Sequence, residues 1–237
     1  ISAQSGEDFT AANGNFTFAP GQTLTATTVA TTADAVAEAA EAFDLIAVAP
    51  SASVFSGSSG AVGSATILDD DAGPRTISIA DAAIEERTFF GSGVLRFAVT
   101  LSQPSTGTVT VDYRTVQGTA STSTDFTGVA GTLTFAAGET TKWINVNTTG
   151  DTLDEIDEAL ELILSDPSGA VLAGGVSELA AVGWILDDDG APEDRALYVP
   201  DTRVIEGDSG TAQVVFQPRL SRSSDSAIEV DYTTISL

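Results

Sequence analysis

Apolar and polar residues alternate over short runs, most clearly between residues 76 and 186. Alternation with a period of two is typical of strands that bury one face. Seven such runs, separated by Gly, Pro, Ser and Asp, cover residues 76–79, 95–101, 109–113, 131–135, 143–146, 159–164 and 181–186. Seven short strands within about 115 residues predict an antiparallel β-sandwich. The Ala-rich stretch 33–42 suggests a helix, but its counterpart later in the chain favours loop and strand.

Two apolar runs end in three consecutive aspartates, at residues 69–71 and again at residues 187–189. The two copies lie 118 residues apart. Adjacent carboxylates repel one another, and a bound cation relieves that repulsion. The fixed separation also indicates an internal repeat.

The repeat divides the chain into one whole domain and two parts of a domain. Residues 1–71 repeat the back half of the segment 75–189, and residues 195–237 repeat its front half. At a single offset of 117, Asp8, Asp34, Glu38, Glu41 and Pro50 match Asp125, Asp151, Glu155, Glu158 and Pro167. In the front half, Glu206 matches Glu86. We therefore expect an intact domain at 75–189, a C-terminal part at 1–71, and an N-terminal part at 195–237 that complements residues 1–71 of a neighbouring copy.

The composition narrows the possible chemistry. The chain has 34 acidic and 9 basic residues, a net charge of −25, and no Cys, His or Met. Disulfides, zinc fingers, Cys nucleophiles and His-based triads are thereby excluded. So negative a surface repels nucleic acid and anionic membranes and attracts cations. No apolar run approaches the roughly 18 residues of a membrane span.

The intact domain contains a series of short motifs: VTVDYRT (109–115), GTA (118–120), DFT (125–127), GTLTFAAGET (131–140), GD (150–151), DEIDE (154–158), LSDPSGA (164–170) and the Asp triplet. With these motifs the sequence resembles the Calx-β repeat family. The resemblance spans the intact domain and both partial ones. The resemblance implies an all-β fold of tandem immunoglobulin-like antiparallel β-sandwiches, one intact and two complementary half-domains.

The resemblance also implies calcium as cofactor, held by carboxylates from loops that meet at one end of each sandwich. In the intact domain the implied ligands are Glu86, Asp125, Asp151, Glu155, Asp187, Asp188 and Asp189. In the split domain, formed by the partial segments 1–71 and 195–237, they are Asp8, Asp34, Glu38, Asp69, Asp70 and Asp71 from the first segment and Glu206 from the second. Asp154 and Asp157 become Ala37 and Ala40, so the split domain is expected to bind fewer ions or to bind them more weakly.

The function expected from these features is structural. The chain would be a segment of an extracellular fibre, stalk or surface coat at a bacterial surface, with calcium stiffening the inter-domain joints and supporting adhesion or matrix formation. Two arrangements remain open: a long covalent array, or separate subunits whose half-domains complete each other. The alternative is a module that senses calcium or binds a glycan or protein ligand through it.

Catalysis is not expected. The paired carboxylates Asp154 and Asp157 resemble a glycosidase acid and base, but no binding-cleft signature accompanies them. The expected partners are neighbouring copies of the chain, joined head to tail, and a surface glycan or protein ligand. Nucleic acid and membrane insertion are not expected.

Overall fold

The computed structural model describes residues 2–48, 60–71, 74–87, 92–189 and 195–237. Strands account for nearly all of the regular structure of these residues, which also include a 3-10 turn at Ala173–Gly175. In chain order the strands are β1 (Asn13–Phe18), β2 (Thr27–Ala33), β3 (Glu41–Val48), β4 (Gly60–Leu68), β5 (Thr76–Ile79), β6 (Ala82–Glu85), β7 (Ser92–Leu101), β8 (Val109–Gln117), β9 (Ala130–Phe135), β10 (Thr141–Thr149), β11 (Glu158–Ser168), β12 (Val171–Leu172), β13 (Glu178–Leu186), β14 (Leu197–Tyr198), β15 (Thr202–Ile205), β16 (Gly210–Phe216), β17 (Arg219–Leu220) and β18 (Ile228–Ser236). The described residues contain no helix long and apolar enough to cross a membrane.

The chain folds into two compact units. Unit 2 comprises residues 72–189, and unit 1 combines residues 1–71 with residues 190–237. The predicted all-β class of immunoglobulin-like sandwiches is confirmed. The stretch 33–42 contains the end of β2, a loop and the start of β3, as its counterpart indicated.

Unit 2 is a sandwich of two sheets. One has the strand order β10-β7-β5-β12 and the other β6-β13-β11-β8-β9. All seven runs of alternating residues lie within strands of these sheets. Inward-facing side chains such as Phe97, Phe126, Phe135 and Leu160 are fully buried between them. This burial supplies the hydrophobic stabilisation of the unit.

The sequence analysis did not predict two short strands of unit 2, β6 and β12. At each of them the chain crosses from one sheet of the sandwich to the other. β5 belongs to one sheet and β6 to the other, and β6 pairs in parallel with β13. Between them, Asp81 Oδ1 accepts a hydrogen bond from Val182 N at 2.7 Å. In unit 1, Asp201 Oδ1 accepts one from Ser64 N at 2.8 Å. These two aspartates therefore support the backbone at the crossover.

Unit 1 is built from two segments of the same chain, the head (residues 1–71) and the tail (residues 190–237). The tail strand β18 lies between the head strands β1 and β3, β15 pairs in parallel with β4, and β16 pairs with β2. The sequence analysis assigned the complement of residues 1–71 to a neighbouring copy. In the structure, residues 195–237 of the same chain occupy that position.

The core of unit 1 joins its two halves. Phe9 and Phe43 of the head stack with ring centroids 4.1 Å apart. Phe216 of the tail meets Phe43 edge to face at 6.1 Å. All three rings are at most 1% exposed. The head therefore depends on the tail for the burial of its largest side chains.

Phe216 and Phe97 occupy equivalent positions and allow a matched test of this dependence. Each is 0% exposed, and Phe216 pairs with Thr27 as Phe97 pairs with Ile144. We expect Phe216→Ala to destabilise unit 1 by about 3 to 5 kcal/mol because it leaves a cavity in the core. Hydrogen exchange read by mass spectrometry should then show lost protection in the head strands β1 and β3. Phe97→Ala should leave those strands protected and deprotect unit 2; loss confined to residues 195–237 in Phe216→Ala would contradict the dependence.

Candidate metal centres

The register of three strands in unit 2 brings acidic residues to one end of the sandwich. β6 pairs in parallel with β13, so Glu86 and Asp187 leave their strands side by side. β11 runs antiparallel to β13 and begins at Glu158, opposite Ile185. The loop between β10 and β11, which carries Asp151 and Glu155, therefore reaches the same end.

Hydrogen bonds donated by backbone N–H groups hold these segments together. Glu86 N donates to Leu186 O at 2.8 Å. Asp151 N donates to Glu86 Oε1 at 3.3 Å, and Glu155 N donates to Asp187 Oδ1 at 3.3 Å. Residues more than thirty positions apart in the chain are thereby fixed as neighbours.

Asp125 reaches this end from the loop between β8 and β9. Its Oδ2 accepts a hydrogen bond from Ser121 N at 2.6 Å, which closes a tight turn. Its carbonyl oxygen accepts one from Thr149 N at 2.8 Å, which ties the turn to the end of β10. The turn is thus positioned by the same strand that leads to Asp151.

Three overlapping groups of carboxylates result. Within each group one oxygen per residue lies within 4.8 Å of the others. The groups are Glu86 with Asp151 and Glu155, Glu86 with Asp187 and Asp189, and Asp125 with Glu155 and Glu158. Because Glu86 and Glu155 each belong to two groups, the cluster is continuous and offers bridging carboxylates.

The electrostatics of the cluster are unfavourable without a cation. Glu86 is only 6% exposed, and burial, with repulsion from Asp151, Glu155 and Asp187, raises its pKa to about 7. A hydrogen bond from Asp151 N opposes that rise in pKa only in part. Burial and the neighbouring acids also raise the pKa of Glu155. The ion pairs formed by described residues, Arg114–Glu178 and Lys142–Glu139, use none of these acids.

Most of the predicted ligands of the intact domain come together in these groups. Glu86, Asp125, Asp151, Glu155, Asp187 and Asp189 each belong to at least one. Among the described residues, Asp188 belongs to none of them.

One member of the cluster, Glu158, was missed as a ligand. It is the first residue of β11, and the sequence analysis placed it in the DEIDE motif without assigning it as a ligand. Burial, a side-chain hydrogen bond with Asp125 and repulsion raise its pKa to about 7. The signal that identifies it was present, since Glu158 matches Glu41 at the same offset as the predicted ligands.

Asp157 has a supporting role. Its Oδ1 accepts a hydrogen bond from Asp187 N at 2.9 Å and so orients the segment that carries the Asp triplet. Ala40 takes its place in unit 1. Unit 1 therefore has no side-chain carboxylate at this position to accept a hydrogen bond from the backbone of its Asp triplet.

Unit 1 repeats the arrangement with residues from both halves of the chain. Asp8, Glu38 and Glu41 form a group of close carboxylates. Gln4 N donates to Asp8 Oδ2 at 2.6 Å, the same turn that Ser121 closes in unit 2. Burial and interaction with Asp8 raise the pKa of Glu41 to about 7.

The tail residue Glu206 faces the acids of the head. It is 8% exposed, and burial, followed by repulsion from Asp34, Glu38, Asp69 and Asp71, raises its pKa to about 7. Gly207 N donates to Asp70 Oδ1 at 2.8 Å. The predicted ligands of the split domain, Asp8, Asp34, Glu38, Asp69, Asp70, Asp71 and Glu206, thus lie at one end of unit 1.

The donor set fits calcium. Every member is a carboxylate, the hard oxygen ligand that Ca²⁺ prefers, and calcium–oxygen distances of about 2.3 to 2.6 Å allow two ligating oxygens to be up to roughly 5 Å apart. The oxygens in each group lie within 4.8 Å of one another, which meets this limit. The chain has no Cys or His to favour a softer metal.

A family model described as "Calx-beta domain" matches residues 1–73 and 74–189. Sodium/calcium exchanger 2 of Rattus norvegicus is 33% identical over 132 residues, covering 45% of this chain and 14% of the exchanger. Sodium/calcium exchanger 1 of Canis lupus familiaris is 38% identical over 101 residues, covering 36% of this chain and 10% of the exchanger. The matches thus span only 14% and 10% of the length of these two relatives.

Similar solved structures include the apo form of the Calx CBD1 domain, with 29% identity and a TM-score of 0.42 over 49% of this chain and 100% of that one. The calcium binding domain CBD12 of CALX1.1 has 20% identity and a TM-score of 0.39, over 67% of this chain and 78% of that one.

These comparisons correct one expectation and confirm another. The interpretation as a structural segment of a fibre, stalk or surface coat is wrong, because the curated relatives are sodium/calcium exchangers. The prediction of Ca²⁺ as the cofactor is confirmed by the same relatives and the family match. The family model covers well over half of the sequence, and the chain belongs to the Calx-beta domain family.

Proposed function

We propose that this chain is a calcium-sensing module, in which the carboxylate clusters of units 1 and 2 bind Ca²⁺ and thereby change the order of the loops that carry them. The observation that carries the proposal is the overlap of three carboxylate groups at Glu86 and Glu155. The exchanger relatives support it. Transport itself is not part of the proposal.

The loops respond to calcium because of what their acids do without it. Asp125, Asp151, Glu155 and Asp187 belong to three segments that no regular ladder joins beyond the strand ends. Their carboxylates repel one another, and that repulsion opposes the close arrangement of the loops. A bound Ca²⁺ attracts these carboxylates, and this attraction outweighs their mutual repulsion and favours the close arrangement of the loops.

The size of the effect makes calcium a strong signal. At a calcium concentration about 100 times the dissociation constant, each site stabilises the folded state by roughly 2.7 kcal/mol. Domain stabilities are about 5 to 15 kcal/mol in total. One site therefore changes the stability of its unit by a large fraction.

Several expectations from the sequence remain proposals. We retain an extracellular location at a bacterial surface, the absence of catalytic activity, and head-to-tail association between copies. We also retain a glycan or protein ligand as a further partner. The negative surface charge, −25 in total, supports the exclusion of nucleic acid.

Calcium titration of the whole chain tests the proposal. We expect saturable heat on calcium addition in isothermal titration, a higher melting temperature with calcium than with chelator, and much weaker responses to magnesium, which dehydrates reluctantly and demands octahedral geometry. Hydrogen exchange should slow in residues 119–127 and 150–158 when calcium binds. Equal exchange in these loops with and without calcium would contradict sensing even if the ion binds.

Glu158→Gln should have opposite effects on the chelated and calcium-loaded protein. It removes a charge that burial and Asp125 disfavour, so the chelated protein should unfold at higher temperature. It also removes a ligand, so calcium affinity of unit 2 should fall by about tenfold or more. Thermal unfolding and calcium titration measure the two effects. Glu161→Gln, at an exposed position of the same strand, is the matched control and should change neither.

The raised pKa values predict how stability varies with pH in chelator. The pKa of Glu86 is raised from 4.5 to about 7, so the folded state binds more protons than the unfolded state between those values. The free energy of unfolding should then fall as pH rises from 4.5 through 7. Calcium needs deprotonated ligands, so its stabilising increment should grow over the same range. Denaturant unfolding at pH 5.5 and 7.5, with chelator and with calcium, measures both trends, and Glu86→Gln should weaken the first.

A further inference from the structure

The backbone at Gly150 touches the backbone of the segment that carries Glu86. A Cβ atom at Gly150 would lie 2.0 Å from Arg87 O and 2.5 Å from Glu86 O. Both contacts are with main-chain atoms, which cannot move aside as a flexible side chain can. Only glycine allows the two segments to approach this closely.

This contact joins two predicted ligands. Gly150 directly precedes Asp151, whose N–H donates to Glu86 Oε1 at 3.3 Å. The approach of the two backbones is therefore what makes Glu86 and Asp151 neighbours in one carboxylate group.

The other side of the contact is a residue in an unusual conformation. Arg87 has φ of +79°, in the left-handed region that costs a residue with a Cβ roughly 1 to 2 kcal/mol. Its counterpart in unit 1 is Gly207, with φ of +85°. The correspondence is structural as well as sequential, because Glu86 N and Glu206 N donate to Leu186 O and Leu68 O, at 2.8 and 3.0 Å.

The two units place their glycine at different members of the equivalent residue pair. Unit 2 has Gly150 against Arg87 O, whereas the equivalent residues of unit 1 are Ala33 and Gly207. Ala33 matches Gly150 at the offset of 117 and is 8% exposed. Unit 1 thus has a methyl group where unit 2 has none.

The carboxylate groups differ in the corresponding way. In unit 2, Glu86 belongs to two groups with oxygens within 4.8 Å. In the described part of unit 1 the close group is Asp8, Glu38 and Glu41, without Glu206.

We propose that the residue pair Gly150/Arg87 in unit 2, and its counterpart Ala33/Gly207 in unit 1, set the calcium affinity of each unit. The pair determines how closely Glu86 approaches Asp151 in unit 2, and how closely Glu206 approaches Asp34 in unit 1. Gly150 is a positioning residue: it binds no ion but admits Glu86 to the site. This inference rests on the proposed function.

The first test is Gly150→Ala in the whole chain. Both tryptophans, Trp143 and Trp184, lie in unit 2, so their fluorescence during calcium titration reports on this unit alone. We expect the calcium dissociation constant of unit 2 to rise by about tenfold or more, as when a supporting residue is lost from a metal site. Gly107→Ala is the matched control, since a Cβ there meets nothing within 4 Å.

Rescue separates positioning from a general loss of structure. Arg87→Gly combined with Gly150→Ala recreates the pair found in unit 1. Because glycine at position 87 lets the carbonyl groups turn away from the new methyl group, the double variant should regain part of the lost affinity. Thermal unfolding in chelator, followed by the same fluorescence, shows whether each variant folds.

The converse test is in unit 1 and needs no destabilised variant. Ala33→Gly removes the methyl group at the position equivalent to Gly150, and we expect a gain of calcium affinity in unit 1. Isothermal titration in a background with Asp125→Asn and Glu158→Gln, which disable unit 2, measures it.

Two results overturn the inference. The first is an unchanged calcium affinity of unit 2 in Gly150→Ala. The second is a loss of unit 2 affinity that Arg87→Gly does not reverse, found together with no gain of unit 1 affinity in Ala33→Gly. If Gly150→Ala fails to fold, Ala33→Gly alone decides. A parent chain that binds no calcium at all refutes the proposed function instead.

Discussion

The calcium site depends above all on the parallel pairing of β6 with β13. Parallel neighbours end at the same edge of a sheet, so Glu86 and Asp187 emerge together. An antiparallel pairing would have sent them to opposite ends of the sandwich. A slip of one residue would turn the side chains to the other face. Unit 1 reproduces the constraint from two separate pieces of chain, with β15 parallel to β4.

A second constraint is the balance between a core that stabilises the fold and an acidic end that destabilises it. The aromatic and aliphatic residues between the sheets are buried almost completely, and this burial holds the strand ends in register. The strand ends in turn hold carboxylates at distances where they repel one another. Burial, followed by this repulsion, raises the pKa values of Glu86 and Glu206 to about 7. The fold therefore stores an unfavourable interaction that a divalent cation reverses, which is the physical basis of a sensor.

The sequence predicted the strands of unit 2 well because their alternation is regular and their turns are rich in Gly, Pro and Asp. It did not reveal β6 as a separate strand, since Ala82–Glu85 has no alternation of apolar and polar residues. Glu158 was missed as a ligand although it matches Glu41 at the repeat offset, and its register opposite Ile185 places it at the acidic end of the sandwich. The close approach at Gly150 is a tertiary contact with no local signal. The fibre interpretation failed at a different level, because repeats and charge describe what a domain binds and not the protein that uses it.

The differences between the units point in one direction. Unit 1 lacks the carboxyl that supports Asp187 in unit 2, since Ala40 replaces Asp157. It also has a methyl group at Ala33 where Gly150 admits Glu86. Each change leaves the front-strand glutamate or the Asp triplet less firmly placed for an ion, while Asp8, Glu38 and Glu41 keep a group of their own. If both sites bind calcium as proposed, their unequal support gives them different affinities. On the proposed function, one chain therefore responds over a wider range of calcium than either unit does alone.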